Sequence, residues 1–111
     1  MKKTIEVSME TWNNIKEQMK DIKEINQIED MIGNKYYFRT VTYHQVGRVV
    51  KQIGNFLQLE DASWVAESGR FMQAIKNGSL SEVEPVGTMF INIDSLVDLF
   101  PWIHNLPKDQ L

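Results

Sequence analysis

Six side chains near predicted turns have the chemistry of a binding surface: Tyr43, His44, Trp64, Arg70, Trp102 and His104. Indole and phenol rings offer apolar area with a polar edge, and Arg offers a planar donor fork for phosphate or carboxylate. Together they suit a protein hot spot, or a stacked base held beside a phosphate clamp. Packing competes for the same residues. Trp64 lies between Ala62 and Ala66 on a strand pattern, as core tryptophans do, and Trp102 and His104 stand in a segment bracketed by Pro101 and Pro107. Arg70 opens a short helix, where free amides and a cation coincide as an anion seat. A pairing of Arg70 with Glu67 or Glu82 would look the same in sequence.

Catalytic chemistry finds little to stand on, and no catalytic residue, metal site or cofactor is expected. His44 and His104 are sixty positions apart, the chain has no cysteine, and no His-x-x-His or His-Glu-x-x-His spacing occurs, so a metal site would need assembly by tertiary contact alone. Ser68, in Ser-Gly-Arg, lacks the Gly-x-Ser-x-Gly turn of hydrolases and reads as a helix cap. Glu67, Glu82 and Glu84 read as a solvated acidic face rather than an acid–base pair. Neither G-x-G-x-x-G nor a P-loop is present. The expectation is a non-enzymatic binding protein.

Composition narrows the class further. With 111 residues, 42% of them apolar, the chain has room for one core and not two catalytic domains. A formal net charge of −3 is the opposite of a phosphate-neutralising surface, which sets the expectation against general nucleic-acid binding. Absence of cysteine removes disulfides and points to an intracellular, cytoplasmic protein. Glu6 and Ser8 interrupt the start where a signal peptide is apolar, and no run approaches the ~18 residues of a membrane helix.

The elements that would position these residues fall into two parts. Trp12, Ile15, Met19, Ile22, Ile25, Ile28 and Ile32 recur at steps of three and four, which predicts a helix from Ser8, its cap, to a Gly33-Asn34 stop. Such a helix would be about 36 Å long, more than a small β-domain can cover, so its stripe is expected to pack on a second copy and make a homo-oligomer. From Tyr36 the period becomes two through Tyr43, then Val46 to Ile53 bends at Gly47, and Gly54-Asn55 turns the chain back into Phe56 to Glu60. Leu57, Leu59, Ile91 and Ile93 are the expected core. A short helix capped by Ser68 carries Phe71, Met72, Ala74 and Ile75 and stops at Asn77-Gly78; Pro85 and Gly87 break the next stretch, leaving Met89 to Ile93 and Leu96 to Phe100 as short strands. The expected fold is α+β: a long N-terminal helix over residues 1–34, then a small, strongly bent antiparallel β-barrel over 35–111 with one short inserted helix.

The bent hairpin Gly47-Arg-Val-Val to Leu57-Gln-Leu-Glu-Asp-Ala62, with Met89-Phe-Ile-Asn-Ile-Asp-Ser-Leu-Val-Asp-Leu99, resembles the two motifs of Sm-like barrels, an SH3-like architecture. The position of that family's uridine-contacting Asn falls at Phe56, and the second motif lacks its Arg-Gly, so the barrel carries over and the RNA site does not. Arg39-Thr-x-x-Tyr43-His-x-x-Gly47, Leu59-x-Asp-Ala-x-Trp64 and Ser68-Gly-Arg70 are similar to small domains of bacteriophages and prophages. This resemblance implies the context of a phage or mobile-element accessory protein, in which a non-enzymatic binding protein would act in counter-defence, by capturing a small phosphorylated or nucleotide ligand between subunits or by masking a host defence protein. The alternatives are a nucleic-acid-associated regulator of Sm-like type, or a virion assembly protein. A ligand-capturing protein requires Arg39, Arg48 or Arg70 to meet an aromatic ring; an acidic mimic requires Glu67, Glu82, Glu84 and Asp94 to share a face.

Overall fold

The computed structural model describes residues 25–111. Five strands, β1 (Lys35–Thr40), β2 (His44–Ile53), β3 (Phe56–Glu67), β4 (Glu82–Asn92) and β5 (Leu96–Pro101), form one sheet in the order β4-β3-β2-β1-β5, every neighbouring pair antiparallel. One α-helix, α1 (Phe71–Asn77), joins β3 to β4, and 3-10 turns span Ile28–Met31 and Ile93–Ser95.

Alternation buries both faces of this sheet. Tyr36 and Phe38 point to the inner face, where Met31, Val49, Leu57, Leu59, Ala62 and Ile91 complete a core with Ile93 packed partly against it. Tyr37, between them, points to the outer face and packs with Val46, Val65, Val83, Ile75 of α1 and Trp102. The sheet bends where β2 and β3 slip register, between Val46 and Arg48 and again between Val49 and Lys51. Gly47 lies at this bend, and a Cβ there would stand 3.1 Å from the Cβ of Ala62 and 3.2 Å from that of Leu59. The absence of a side chain eases this close approach of β2 and β3.

The long N-terminal helix is overturned where it can be compared with the structure. Residues 25–27 are not helical, and Ile28–Met31 forms a single 3-10 turn in place of the last turns of an α-helix. Two forces end helical geometry here. Asp30 Oδ2 accepts from the amides of Asn26 at 3.0 Å and Gln27 at 3.2 Å, which closes a local turn. Beyond it, Gly33 N donates to Val49 O at 2.7 Å and Val49 N to Asn34 O at 2.9 Å, stitching the chain to β2. Met31 and Ile28 thus pack under the sheet as part of its inner core. The rest of the proposed helix, with Ser8, Trp12, Ile15, Met19 and Ile22, lies outside the described residues.

Two further expectations are corrected. The strand broken at Pro85 and Gly87 is instead continuous through β4. Val83 exchanges backbone hydrogen bonds with Leu111 at 3.1 and 3.0 Å, so its donors and acceptors face the sheet edge, and Pro85, two residues on, directs its missing N–H to that same edge. Ser68 does not cap α1: the N-cap is Arg70, without a side-chain cap, and Ser68 Oγ donates to Gly69 O at 3.1 Å.

Candidate functional site

The outer face of the sheet divides along the strands into a covered end and a bare end. At the covered end, α1 and the C-terminal residues 102–111 lie over Tyr37, Val46 and Val65. Five of the six residues singled out above gather at this end. His44 opens β2 and its Nδ1 is 2.8 Å from the Tyr37 hydroxyl. Trp102 is buried, its ring against Tyr37 and edge-on to His104 at 4.9 Å, and its Nε1 donates to Asn105 O at 3.2 Å. His104 Nε2 donates to Ile75 O at 2.8 Å and so satisfies a carbonyl of the last turn of α1. Gly78 ends that helix at φ +76, where a Cβ would stand 2.6 Å from His104 Cγ. Tyr43 and Trp64 face each other at 6.1 Å across the β1–β2 turn and β3, Tyr43 exposed and Trp64 half-buried beside a cavity of about 280 Å³ with Glu82 and Glu84. Arg70 stands apart, exposed at the N-cap of α1.

The centre of the covered end is a pair that sequence spacing does not reveal. Arg39 donates from Nε to Asp98 Oδ1 at 2.7 Å and from Nη2 to Oδ2 at 2.6 Å, a bidentate bridge between β1 and β5. Its guanidinium lies over the Phe71 ring at 4.7 Å and 5.4 Å from the Phe100 centroid. The hydrogen bonds from Arg39 hold the Asp98 carboxyl below its ordinary value. Burial, with the Arg39 charge second, lowers His44 from its ordinary value, and burial raises Tyr37. Arg39 therefore does meet aromatic rings, as a ligand-capturing site would require, but Asp98 already takes the Nε–Nη2 edge of its guanidinium. Such a closed pair positions β5 and α1. Burial is the larger cause of the shift of His44, and it disfavours the charged ring against Tyr37.

At the bare end the turns β2–β3 and β4–β5 meet. Asn55 Nδ2 donates to Asn92 Oδ1 at 2.9 Å and to Asp94 Oδ2 at 2.7 Å, while Ile93 N donates to Asn55 O at 2.9 Å. The loop asparagine is thus spent on tying two turns together. Next to it, Phe56 is 44% exposed and Phe90 53% exposed. Cross-strand register, Phe56 with Asn92 and Gln58 with Phe90, puts these four side chains on one outer surface, continued by Lys51 and Ile53 of β2. Sequence reasoning assigned the surface no role, although the alternation of Phe56 and Gln58 against Leu57 and Leu59 carried the signal. Asp94 is at this end, whereas Glu67, Glu82 and Glu84 are at the opposite end of the β3–β4 ladder, so the four carboxylates do not share a face.

Among the described residues, no three His, Asp or Glu side chains stand together as a metal site, and no helix is long and apolar enough to cross a membrane. No family model matches the chain, and no curated protein matches it. Similar solved structures include Sm and Sm-like proteins. A heptameric archaeal Sm protein is 20% identical over 66% of this chain and 91% of that one, with a TM-score of 0.47. The Pyrococcus abyssii Sm protein in complex with a uridine heptamer is 16% identical over 67% and 90%, with a TM-score of 0.45. An Sm-like protein from Archaeoglobus fulgidus is 13% identical over 71% and 99%, with a TM-score of 0.46.

Proposed function

We propose that the protein is a non-enzymatic subunit of an assembly of like copies that holds single-stranded nucleic acid on its Phe56–Phe90 surface. The observation that carries this reading is the exposure of two phenyl rings on one face, flanked by the amides of Gln58 and Asn92. Aromatic rings open to solvent take stacked bases, and amide side chains hydrogen-bond base edges. Lys51 is the cation on that surface, so stacking supplies more of the affinity than counterion release does. This fits a chain with net charge −3.

Assembly follows from the sheet order. β4 and β5 are at opposite ends of the sheet and do not pair with each other, so among the described residues the β5 edge is open and the β4 edge is open beyond the pairing of Val83 with Leu111. Val86 and Phe90 on β4 and Val97 on β5 are exposed along them. An edge of one kind on each side makes a head-to-tail contact between copies, which closes into a ring or continues as a filament. Pairing β4 with the next copy's β5 would extend the surface carrying Phe90.

The test is the binding of a labelled oligouridylate, read by fluorescence anisotropy, to the protein and to Phe56→Ala and Phe90→Ala. Each substitution is expected to weaken binding about tenfold or more, since one stacked base is worth about 1–3 kcal/mol. Binding that ignores both substitutions contradicts the proposal.

A further inference from the structure

Between the covered and bare ends, the outer face holds a groove of about 740 Å³ lined by Lys35, Arg48, Asp61, Pro85, Gly87 and residues 105–108. Of the seven Lys and Arg among residues 25–111, three line it, Lys35, Arg48 and Lys108; of the ten Asp and Glu, Asp61 alone does. In a chain of net charge −3 the sign is locally reversed.

Two of these cations are placed against the electrostatics of the fold itself. Lys35 and Arg48 are direct partners across β1 and β2, the position in which like charges destabilise a sheet. Asp61 offsets one of them, holding Arg48 Nη1 at 2.6 Å from a backbone at φ +53, a conformation an L side chain rarely adopts. Lys35 Nζ reaches a neutral acceptor, the carbonyl of His104, at 2.5 Å. Lys108 is exposed and, among the described residues, makes no ion pair. Among the described residues, two positive charges are therefore left without a carboxylate in a concave space.

The outer wall of the groove is anchored at both ends. Trp102 N donates to Lys35 O at 3.0 Å and its ring is buried, while Leu111 is paired both ways with Val83. Residues 105–108 span the interval. Across from them Gly87, at φ +83, has nothing within 4 Å of where a Cβ would stand, so its backbone is open to close approach.

We propose that Lys35, Arg48 and Lys108 bind the phosphate groups of a ligand of nucleotide size in this groove. Arg48 supplies a planar donor fork and the two lysines supply point charges. The volume is that of a small-molecule site, and phosphate neutralises the surplus that the fold leaves. A free nucleotide and the backbone of a single strand both present this chemistry. The site stands on the groove alone and not on the Phe56–Phe90 surface.

Isothermal titration with ATP, and separately with a short oligouridylate, tests it on the full chain. ATP is expected to saturate at one per chain, with affinity falling about tenfold in Lys108→Glu and in Lys35→Gln, and falling again as salt is raised. Lys108 is an exposed tail residue, so its variant keeps the fold, and circular dichroism verifies this. Saturation by ATP assigns the site to a free nucleotide. Saturation by the oligouridylate alone, lost in Lys108→Glu but kept in Phe56→Ala, assigns it to strand phosphates and equally supports the site. No saturable binding of either probe, or affinities unchanged in both lysine variants, overturns it.

Discussion

Arg39 and Asp98, fifty-nine positions apart, meet through two parallel hydrogen bonds of 2.7 and 2.6 Å under the rings of Phe71 and Phe100. The pair fastens β5 to β1 and occupies the Nε–Nη2 edge of the guanidinium. Its strength depends on Asp98 being ionised. The hydrogen bonds from Arg39 lower the Asp98 carboxyl below its ordinary 3.8, so the stability it contributes is present above that value and is lost as pH falls through the lowered one. Asp98→Asn is therefore expected to lower the melting temperature at neutral pH and to match the unaltered protein in strong acid. Equal differences at both pH values would count against this role.

His44 predicts a second pH limb of the same sign. Burial beside Tyr37 lowers its ring below the ordinary 6.5, so as pH drops below that value the unfolded chain takes up a proton that the folded chain resists. Stability falls with pH in this window. His44→Gln, which keeps a polar partner for the Tyr37 hydroxyl, should flatten the urea midpoint between neutral pH and the ordinary carboxylate range. A midpoint that falls as steeply in the variant would rule out His44 as the source.

Gly78 and His104 are coupled by space. At φ +76 an Ala is strained, and its Cβ would meet His104 Cγ at 2.6 Å, so Gly78→Ala should destabilise by about 1–3 kcal/mol. In a His104→Gly background both atoms that the new Cβ would meet most closely, His104 Cγ at 2.6 Å and Cβ at 2.8 Å, are gone, and the backbone strain is left. The two substitutions should then cost less together than the sum of their separate costs, read from denaturant unfolding. Strict additivity would mean that the ring does not cap α1 as described.

Leu59 and Ser63, four residues apart on β3, should respond oppositely. Leu59 is fully buried in the inner core, and Leu59→Ala should cost about 2–5 kcal/mol. Ser63 is equally buried, but within the described residues its Oγ has no hydrogen-bond partner. Removing an unsatisfied hydroxyl is neutral or stabilising, so Ser63→Ala should hold or raise the melting temperature. A marked loss in Ser63→Ala would reveal a partner for that hydroxyl.

Local alternation made much of the sheet legible in the sequence. Tyr36 to Thr40 and Leu57 with Leu59 show period two, and the two core faces follow directly from it. Non-local pairing was not legible. Nothing in the chain links Arg39 to Asp98, or Asn55 to Asn92 and Asp94, until the sheet is folded. Pro85 suggests a break in the sequence, yet an edge strand needs no N–H on its free side and β4 runs through it. Ile25, Ile28 and Ile32 suggest the opposite: steps of three and four fit a helix, yet the pull of Asp30 and β2 gives a single 3-10 turn that feeds Ile28 into the sheet core.

The central claim is that open β4 and β5 edges join copies of this chain into one nucleic-acid-binding surface. The most direct measurement is the mass in solution by native mass spectrometry, for the protein and for Phe90→Arg, which sets a charge beside the edge contact. The account predicts a defined multimer that shifts towards monomer in Phe90→Arg. A monomer in the unaltered protein, at concentrations where the oligouridylate binds, would contradict it.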